Sequence, residues 1–267
     1  KIGKNKYSTS NIATSLLASK NNIILSDDRG TIFNVNLNGK IYWKKNIYDK
    51  KYKKIYKNLV FSIYKNNIYI ADNIGFIYAI NFDNGKLVWI RNYGISLKSN
   101  IKIFDNKIFL IDQNNRILAL NIKDGSKVWD IRTISSFIKS QNLLTLVIST
   151  KGDLVALNSS ADLYKIDSMM GDIYWHSNTL ESLLPDATDF FISSNVVINE
   201  DEIIFSAGPS FFSYNLNNGL INWNKKLNSL GTPIIDGKNI FFVTPNGYFI
   251  IMDKDVGKII SSTNILK

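Results

Sequence analysis

The sequence predicts an all-β propeller of four-stranded antiparallel blades, and three observations carry that prediction. Ala79-Ile80-Asn81-Phe82-Asp83-Asn84-Gly85-Lys86-Leu87-Val88-Trp89 recurs closely at Ala119–Trp129, with a small residue, a turn Gly and a Trp four residues beyond the Gly. Looser copies keep the Gly-to-Trp spacing at Gly39 and Trp43, Gly171 and Trp175, and Gly219 and Trp223. All five tryptophans therefore occupy one motif position, and successive positions, counting Ser261 as the sixth, are 46, 40, 46, 48 and 38 residues apart. Between them apolar residues alternate with polar ones over short runs bounded by Asn, Asp and Gly, which is the period of strands rather than helices. A repeat in the low forties with four strands and a fixed aromatic is the signature of a propeller blade.

Each unit reads as four strands. In the second, Leu59–Ile63 and Ile68–Ala71 are joined by a turn at Asn66-Asn67. Asp72–Gly75 then leads into Phe76–Asn81, and Asp83-Asn84-Gly85 into Lys86–Trp89. Gly85 suits the tight turn because positive φ costs a residue with a Cβ more than it costs Gly. An Asn or Asp stands at one turn position in every unit, as Asn36, Asn81, Asn121, Asp167, Asn215 and Asp253; its side chain is expected to close the turn on nearby amides. The units run roughly over 12–43, 59–89, 100–129, 144–175, 196–223 and 232–262, so residues 1–267 are expected to form one propeller domain. No convincing helix is visible. The long connections 44–58, 130–143 and 176–195 exceed what the blades need, and such loops are where function tends to sit.

Composition fits a globular chain, with 45% hydrophobic residues, 13 Tyr, 15 Phe and 5 Trp. No apolar run approaches the roughly 20 residues of a membrane-spanning helix, and no signal-peptide pattern opens the chain. Zero cysteines exclude disulfides, thiolate metal sites and Cys nucleophiles. The net charge of +10 is mostly scattered. Its densest cluster is Lys44, Lys45, Lys50, Lys51, Lys53, Lys54 and Lys57 among Tyr48, Tyr52 and Tyr56; it could bind phosphates, although a solvated connection is the plainer reading. The single histidine, His176, is expected at the surface at the start of a connection and supports neither a triad nor a two-His metal site. Asp27-Asp28 and Glu200-Asp201-Glu202 read as turns.

The motif at Ala79–Trp89 and Ala119–Trp129 resembles the tryptophan-docking motif of the pyrroloquinoline-quinone (PQQ)-like propeller repeat, and the resemblance covers essentially the whole chain. It implies that each Trp on an outermost strand stacks near the Gly turn of the neighbouring blade, so that Trp43, Trp89, Trp129, Trp175 and Trp223 and Gly39, Gly85, Gly125, Gly171 and Gly219 fasten blade to blade. Two branches of that family are relevant. The quinoprotein dehydrogenases imply a PQQ between a Trp and a vicinal disulfide, with Ca²⁺ held by Glu, Asn and Asp; this chain has no Cys and no Trp outside the docking position, so no cofactor is expected and no enzyme activity. The BamB family, non-catalytic lipoproteins of outer-membrane β-barrel assembly, fits what remains.

That branch implies a periplasmic scaffold at the inner face of the outer membrane, anchored by a lipid outside this chain. Two long loops would bind the periplasmic domains of BamA, and unfolded outer-membrane proteins would be further partners; nucleic acid is not expected. By order among the blades, the equivalent loops here carry Phe137, Ile138, Lys139 and Ser140, and Leu183, Leu184, Asp186 and Asp189. The first departs from the family pattern of Leu-Arg-Gly, and Lys139 cannot give the bidentate pairing of an Arg. The branch also implies eight blades where six are visible. Together with the start at Lys1 and with Ser261 in a Trp position, this makes an incomplete chain the expectation. A quinoprotein-like enzyme and an anion-binding module using Lys44–Lys57 are the alternative functions.

Overall fold

The computed structural model describes residues 16–19, 21–133, 144–179, 193–229 and 231–266. It is a β-propeller built of four-stranded antiparallel sheets, six of them among the described residues, each a simple meander in chain order. Sheet 1 holds β1–β4 (Leu17–Ser19, Asn22–Ser26, Ile32–Asn36, Ile41–Lys45) and sheet 2 β5–β8 (Leu59–Tyr64, Asn67–Asp72, Phe76–Asn81, Leu87–Asn92). Sheet 3 holds β9–β12 (Lys102–Phe104, Lys107–Ile111, Arg116–Asn121, Lys127–Arg132) and sheet 4 β13–β16 (Thr145–Ile148, Asp153–Leu157, Asp162–Asp167, Ile173–Asn178). Sheet 5 holds β17–β20 (Val197–Asn199, Glu202–Ala207, Ser210–Asn215, Ile221–Lys225) and sheet 6 β21–β24 (Ile234–Asp236, Asn239–Val243, Tyr248–Asp253, Ile259–Asn264). The chain forms two compact units, Lys1–Gln113 with Ile117–Asp130, and Asn114–Arg116 with Ile131–Lys267.

The middle strands of sheets 2 to 5 are buried on both faces, which is why β6, β11 and β18 read as nearly continuous apolar runs instead of alternating ones. In the first unit one core joins Tyr69, Ala71, Ile77 and Ala79 of sheet 2 to Ile108, Leu110, Leu118 and Leu120 of sheet 3. In the second, Val155, Leu157 and Leu163 of sheet 4 meet Ile203, Phe205, Phe212 and Tyr214 of sheet 5. The fourth strands are edges and stay largely exposed, as Leu87, Val88, Ile173 and Tyr174 show.

Two local readings change. The first hairpin of sheet 2 turns at Lys65-Asn66, where Lys65 takes φ +52°, so β6 begins at Asn67. The fourth strands also run past their Trp: β8 continues to Asn92 and β16 to Asn178, which places His176 within a strand, stacked 5.7 Å from the Tyr164 ring. Pairing with the third strand continues there because the ladder is offset by a bulge, Ala79 facing Trp89 while Ile80 faces Leu87. The same offset recurs at Asn34/Val35, Lys165/Ile166, Ser213/Tyr214 and Ile251/Met252. An extra residue at this point re-aims the next side chain, here the Trp, or Ser261 in sheet 6.

Candidate functional site

The motif builds a contact between successive sheets from three parts. The Asn or Asp comes first: in all six sheets its side-chain oxygen accepts from the amide two residues on, as in Asn38 to Asn36, Asp83 to Asn81, Lys123 to Asn121, Met169 to Asp167, Asn217 to Asn215 and Asp255 to Asp253. That fixes the following residue, whose own N–H donates to the first hairpin of its sheet: Phe82 to Asn66 O, Ile122 to Asn106 O, Leu216 to Asp201 O and Lys254 to Lys238 O. The carbonyls of these same four residues accept the indole Nε1–H of the preceding sheet, from Trp43 (2.9 Å), Trp89 (3.1 Å), Trp175 (3.0 Å) and Trp223 (2.8 Å).

The Gly supplies the third part. Gly85, Gly125, Gly219 and Gly257 all have positive φ, and a Cβ on any of them would lie 2.5–2.8 Å from an indole carbon of Trp43, Trp89, Trp175 or Trp223. Only Gly allows both the turn and the flat ring against it. Gly257 thus takes this place in the sixth sheet. Trp129 holds the motif position on β12, 5.8 Å from the Phe109 ring, and Gly171 takes the same left-handed turn at φ +85°. Gly39 also has positive φ, yet nothing among the described residues lies within 4 Å of where its Cβ would be. Phe137, Ile138, Lys139, Leu183, Leu184, Asp186 and Asp189 lie outside the described residues.

The Lys/Tyr-rich connection between sheets 1 and 2 is not simply a solvated loop. A single 3₁₀ turn, Lys50–Tyr52, interrupts it, and two of its side chains turn inward: Tyr48 is 6% exposed and Lys57 4%. The Tyr48 hydroxyl donates to Asp72 Oδ2 at 2.5 Å, while Lys57 Nζ donates to Tyr52 O and Ile55 O and sits 4.5 Å from the Tyr48 ring. Gly30 leaves room for both, since a Cβ there would be 2.3 Å from Tyr48 Cε2 and 2.6 Å from Lys57 Cδ. A buried cation satisfied by backbone carbonyls and an aromatic face is a structural clamp. The exposed members of the cluster, Lys44, Lys45, Lys50, Lys51, Lys53 and Lys54, are left as its surface charge.

Burial raises the Asp72 carboxyl above its ordinary range, although the Tyr48 hydroxyl and the amides of Phe76 and Ile74 pull it back. Burial likewise pushes the Tyr48 hydroxyl up and the Lys57 ammonium down. With a raised folded-state value, the folded chain retains a proton that the unfolded chain has released. Asp72 therefore contributes stability below the ordinary carboxylate pKa that is lost as pH rises through its folded value. Urea unfolding across mildly acidic pH is expected to show this slope flattened in Asp72→Asn; identical slopes would contradict it. Tyr48→Phe leaves Asp72 Oδ2 without its donor and is expected to cost about 1–3 kcal/mol at neutral pH.

In the second unit a cleft of about 400 Å³ opens between the first hairpins of sheets 4 and 5. Val147, Ile198 and the buried Leu216 give it apolar walls, and the exposed Lys151, Glu200 and Asp201 carry charge around it. Lys165 pairs with Asp153 at 3.1 Å beside it. Its walls come from hairpins well separated in the chain and from Leu216, and no local signal brings them together; of Glu200-Asp201-Glu202, expected as a turn, Glu200 and Asp201 form one, with Glu200 at φ +52°, while Glu202 begins β18.

Among the described residues no group of three His, Asp or Glu side chains is placed to hold a metal ion, and no helix is long and apolar enough to cross a membrane. Tested against the quinone setting of the dehydrogenase branch, the residues do not fit: no Cys exists for a vicinal disulfide, and Trp43, Trp89, Trp175 and Trp223 are each hydrogen-bonded between sheets.

Four-stranded sheets whose fourth-strand Trp lies on the Gly turn of the next sheet define the class as a PQQ-like repeat propeller. Residues 28–263 match the family described as outer membrane protein assembly factor BamB, and the chain belongs to that family. Its structure is similar to that of BamB from Moraxella catarrhalis, with a TM-score of 0.80 at 13% identity over 96% of this chain and 77% of that one. It is also similar to a quinohemoprotein alcohol dehydrogenase from Pseudomonas putida HK5 (TM-score 0.71, 10% identity, 93% of this chain and 58% of that one). Sqt1 of Saccharomyces cerevisiae gives 0.71 at 13% identity over 91% and 70%. At such identities these likenesses are of fold, which hosts unrelated functions. No curated protein sequence matches the chain.

Proposed function

We propose that the protein is a non-catalytic periplasmic scaffold that assists assembly of β-barrel proteins into the outer membrane by binding BamA-like periplasmic domains. The observation that carries this reading is the match of residues 28–263 to the BamB family. The misfit of the residues to a quinone site supports a binding role over the dehydrogenase one. In this reading the fastened sheets are a stiff support, and segments 130–143 and 176–195 make the contact, with Phe137, Ile138, Leu183 and Leu184 as apolar anchors. Lys139, Asp186 and Asp189 set orientation at the rim. Unfolded barrel precursors would be held as added strands on the exposed fourth-strand edges, where main-chain groups supply affinity and side chains little selectivity. A lipid anchor outside these residues would give the attachment to the inner face of the membrane.

Capture of the cognate BamA periplasmic region by the purified protein tests the proposal. Wild type is expected to retain it and Leu183→Ala/Asp186→Ala to lose at least tenfold in affinity. No capture by wild type would overturn the scaffold reading, whereas equal capture by both would remove the second segment from the interface.

A further inference from the structure

The connection between sheets 1 and 2 is tied down at both ends and along its length. Tyr48 and Lys57 turn inward, and the residues between them, Tyr52 apart, are exposed. Side chains pin the backbone: Arg29 Nη1 donates to Lys54 O at 2.6 Å, Asn73 Nδ2 to Tyr56 O at 3.2 Å, and Asn46 Nδ2 to Arg29 O at 3.1 Å. What the segment displays is therefore fixed. Lys50, Lys51, Lys53 and Lys54 surround a 3₁₀ turn, Lys44 and Lys45 lead into it, and Asp49 is the one acid of the stretch. None of these six lysines has an acidic partner among the described residues. Directly after them stand Ile55 and Tyr56, 42% and 58% exposed. Gathering like charges on an ordered segment costs the folded chain electrostatic energy, and a solvated connection has no need of that arrangement.

We propose that residues 49–56 form a contact with an anionic lipid surface. Lys50, Lys51, Lys53 and Lys54 lie against phosphate headgroups, while Ile55 and Tyr56 enter the boundary between headgroups and acyl chains. The chemistry selects this partner. Unpaired cations beside an aliphatic and an amphipathic aromatic side chain match a layer that is negative at its surface and apolar just beneath. Because the backbone is already pinned, little order remains to be imposed on binding. Nucleic acid would be held by its phosphates and by bases stacked on bare rings. Here Arg29 already lies 4.8 Å over the Tyr56 ring and Lys51 4.8 Å over that of Tyr52, and an exposed Ile55 adds little to such a groove. The contact uses residues other than the segments assigned to BamA-like domains, so lipid binding and BamA capture succeed or fail separately.

Co-sedimentation of the purified protein with vesicles tests the proposal, comparing pure phosphatidylcholine with phosphatidylcholine containing about 30% phosphatidylglycerol. Binding to the anionic vesicles alone is expected. Each lysine near such a surface is worth about fivefold, so Lys50→Gln/Lys53→Gln/Lys54→Gln is expected to bind at least tenfold more weakly. Ile55→Ser is expected to lose roughly fivefold through its apolar contact. Raising the salt from about 0.05 to 0.3 M separates the two, because screening shrinks the deficit of the lysine variant and leaves that of Ile55→Ser. Urea midpoints equal to wild type confirm that both variants keep the fold. No preference for anionic vesicles would overturn the proposal, as would equal binding by the lysine variant, which would assign the attraction to charge elsewhere on the chain. Displacement by soluble glycerol phosphate at matched phosphate concentration would show a site for a single anion rather than a surface, and would overturn it too. So would tighter binding of a DNA duplex that is indifferent to Ile55→Ser.

Discussion

Trp89→Ala is expected to lower stability by about 3 kcal/mol in urea unfolding, towards the lower end of the usual 3–5 kcal/mol for truncating a large core aromatic. The lower end applies because Trp89 is half-buried on an edge strand. What it loses is nonetheless specific. The ring packs 6.2 Å from Tyr69 and on Gly125, and Nε1 donates to Ile122 O, so the substitution removes apolar cover from the core shared by sheets 2 and 3 and leaves a carbonyl without its donor. A variant that unfolds at the wild-type midpoint with an unchanged slope would contradict this.

Gly125→Ala approaches the same contact from the other side and is expected to cost about 2–3 kcal/mol. Its φ of +69° imposes on any L-residue a left-handed conformation worth about 1–2 kcal/mol. The remainder comes from moving the indole, since the new Cβ would lie 2.5 Å from Trp89 Cζ3. Gly39→Ala provides the comparison, with a similar φ of +78° and nothing within 4 Å among the described residues, so only the conformational part is expected there. If the excess at Gly125 is the displaced ring, Trp89→Ala combined with Gly125→Ala costs less than the two separately. Additive costs, or equal costs at Gly39 and Gly125, would show that the indole is not what the glycine accommodates.

The fold was legible because its signal is periodic. The Gly-to-Trp spacing and the polar residue at each turn are short-range features, and each sheet is a meander of consecutive strands, so reading along the chain also reads across the sheet. The inward Tyr48 and Lys57 were not legible, because a Lys/Tyr-rich stretch looks solvated and what makes their burial favourable comes from the folded chain: the room left by Gly30, the Asp72 carboxylate for Tyr48, and the Tyr52 and Ile55 carbonyls for Lys57. The bulge in the ladder of the fourth strands, which run on to Asn92 and Asn178, was hidden as well, since β8 and β16 are exposed over most of their length and carry no clear apolar alternation whose change of phase would reveal an extra residue. The cleft beside Val147, Ile198 and Leu216 escapes any linear reading, as its walls meet only when two sheets pack.

The contact that joins successive sheets is made to backbone on the accepting side: a carbonyl and the bare face of a glycine. Phe82, Ile122, Leu216 and Lys254 can therefore occupy one position with four different side chains. A joint that reads three residues per repeat and ignores most others places few demands on composition. Such a chain can absorb a heavy load of Lys, Asn, Ile and Tyr over time and remain superimposable on a relative with which it shares 13% of its residues. Divergence is cheap where the fastening is written in main chain.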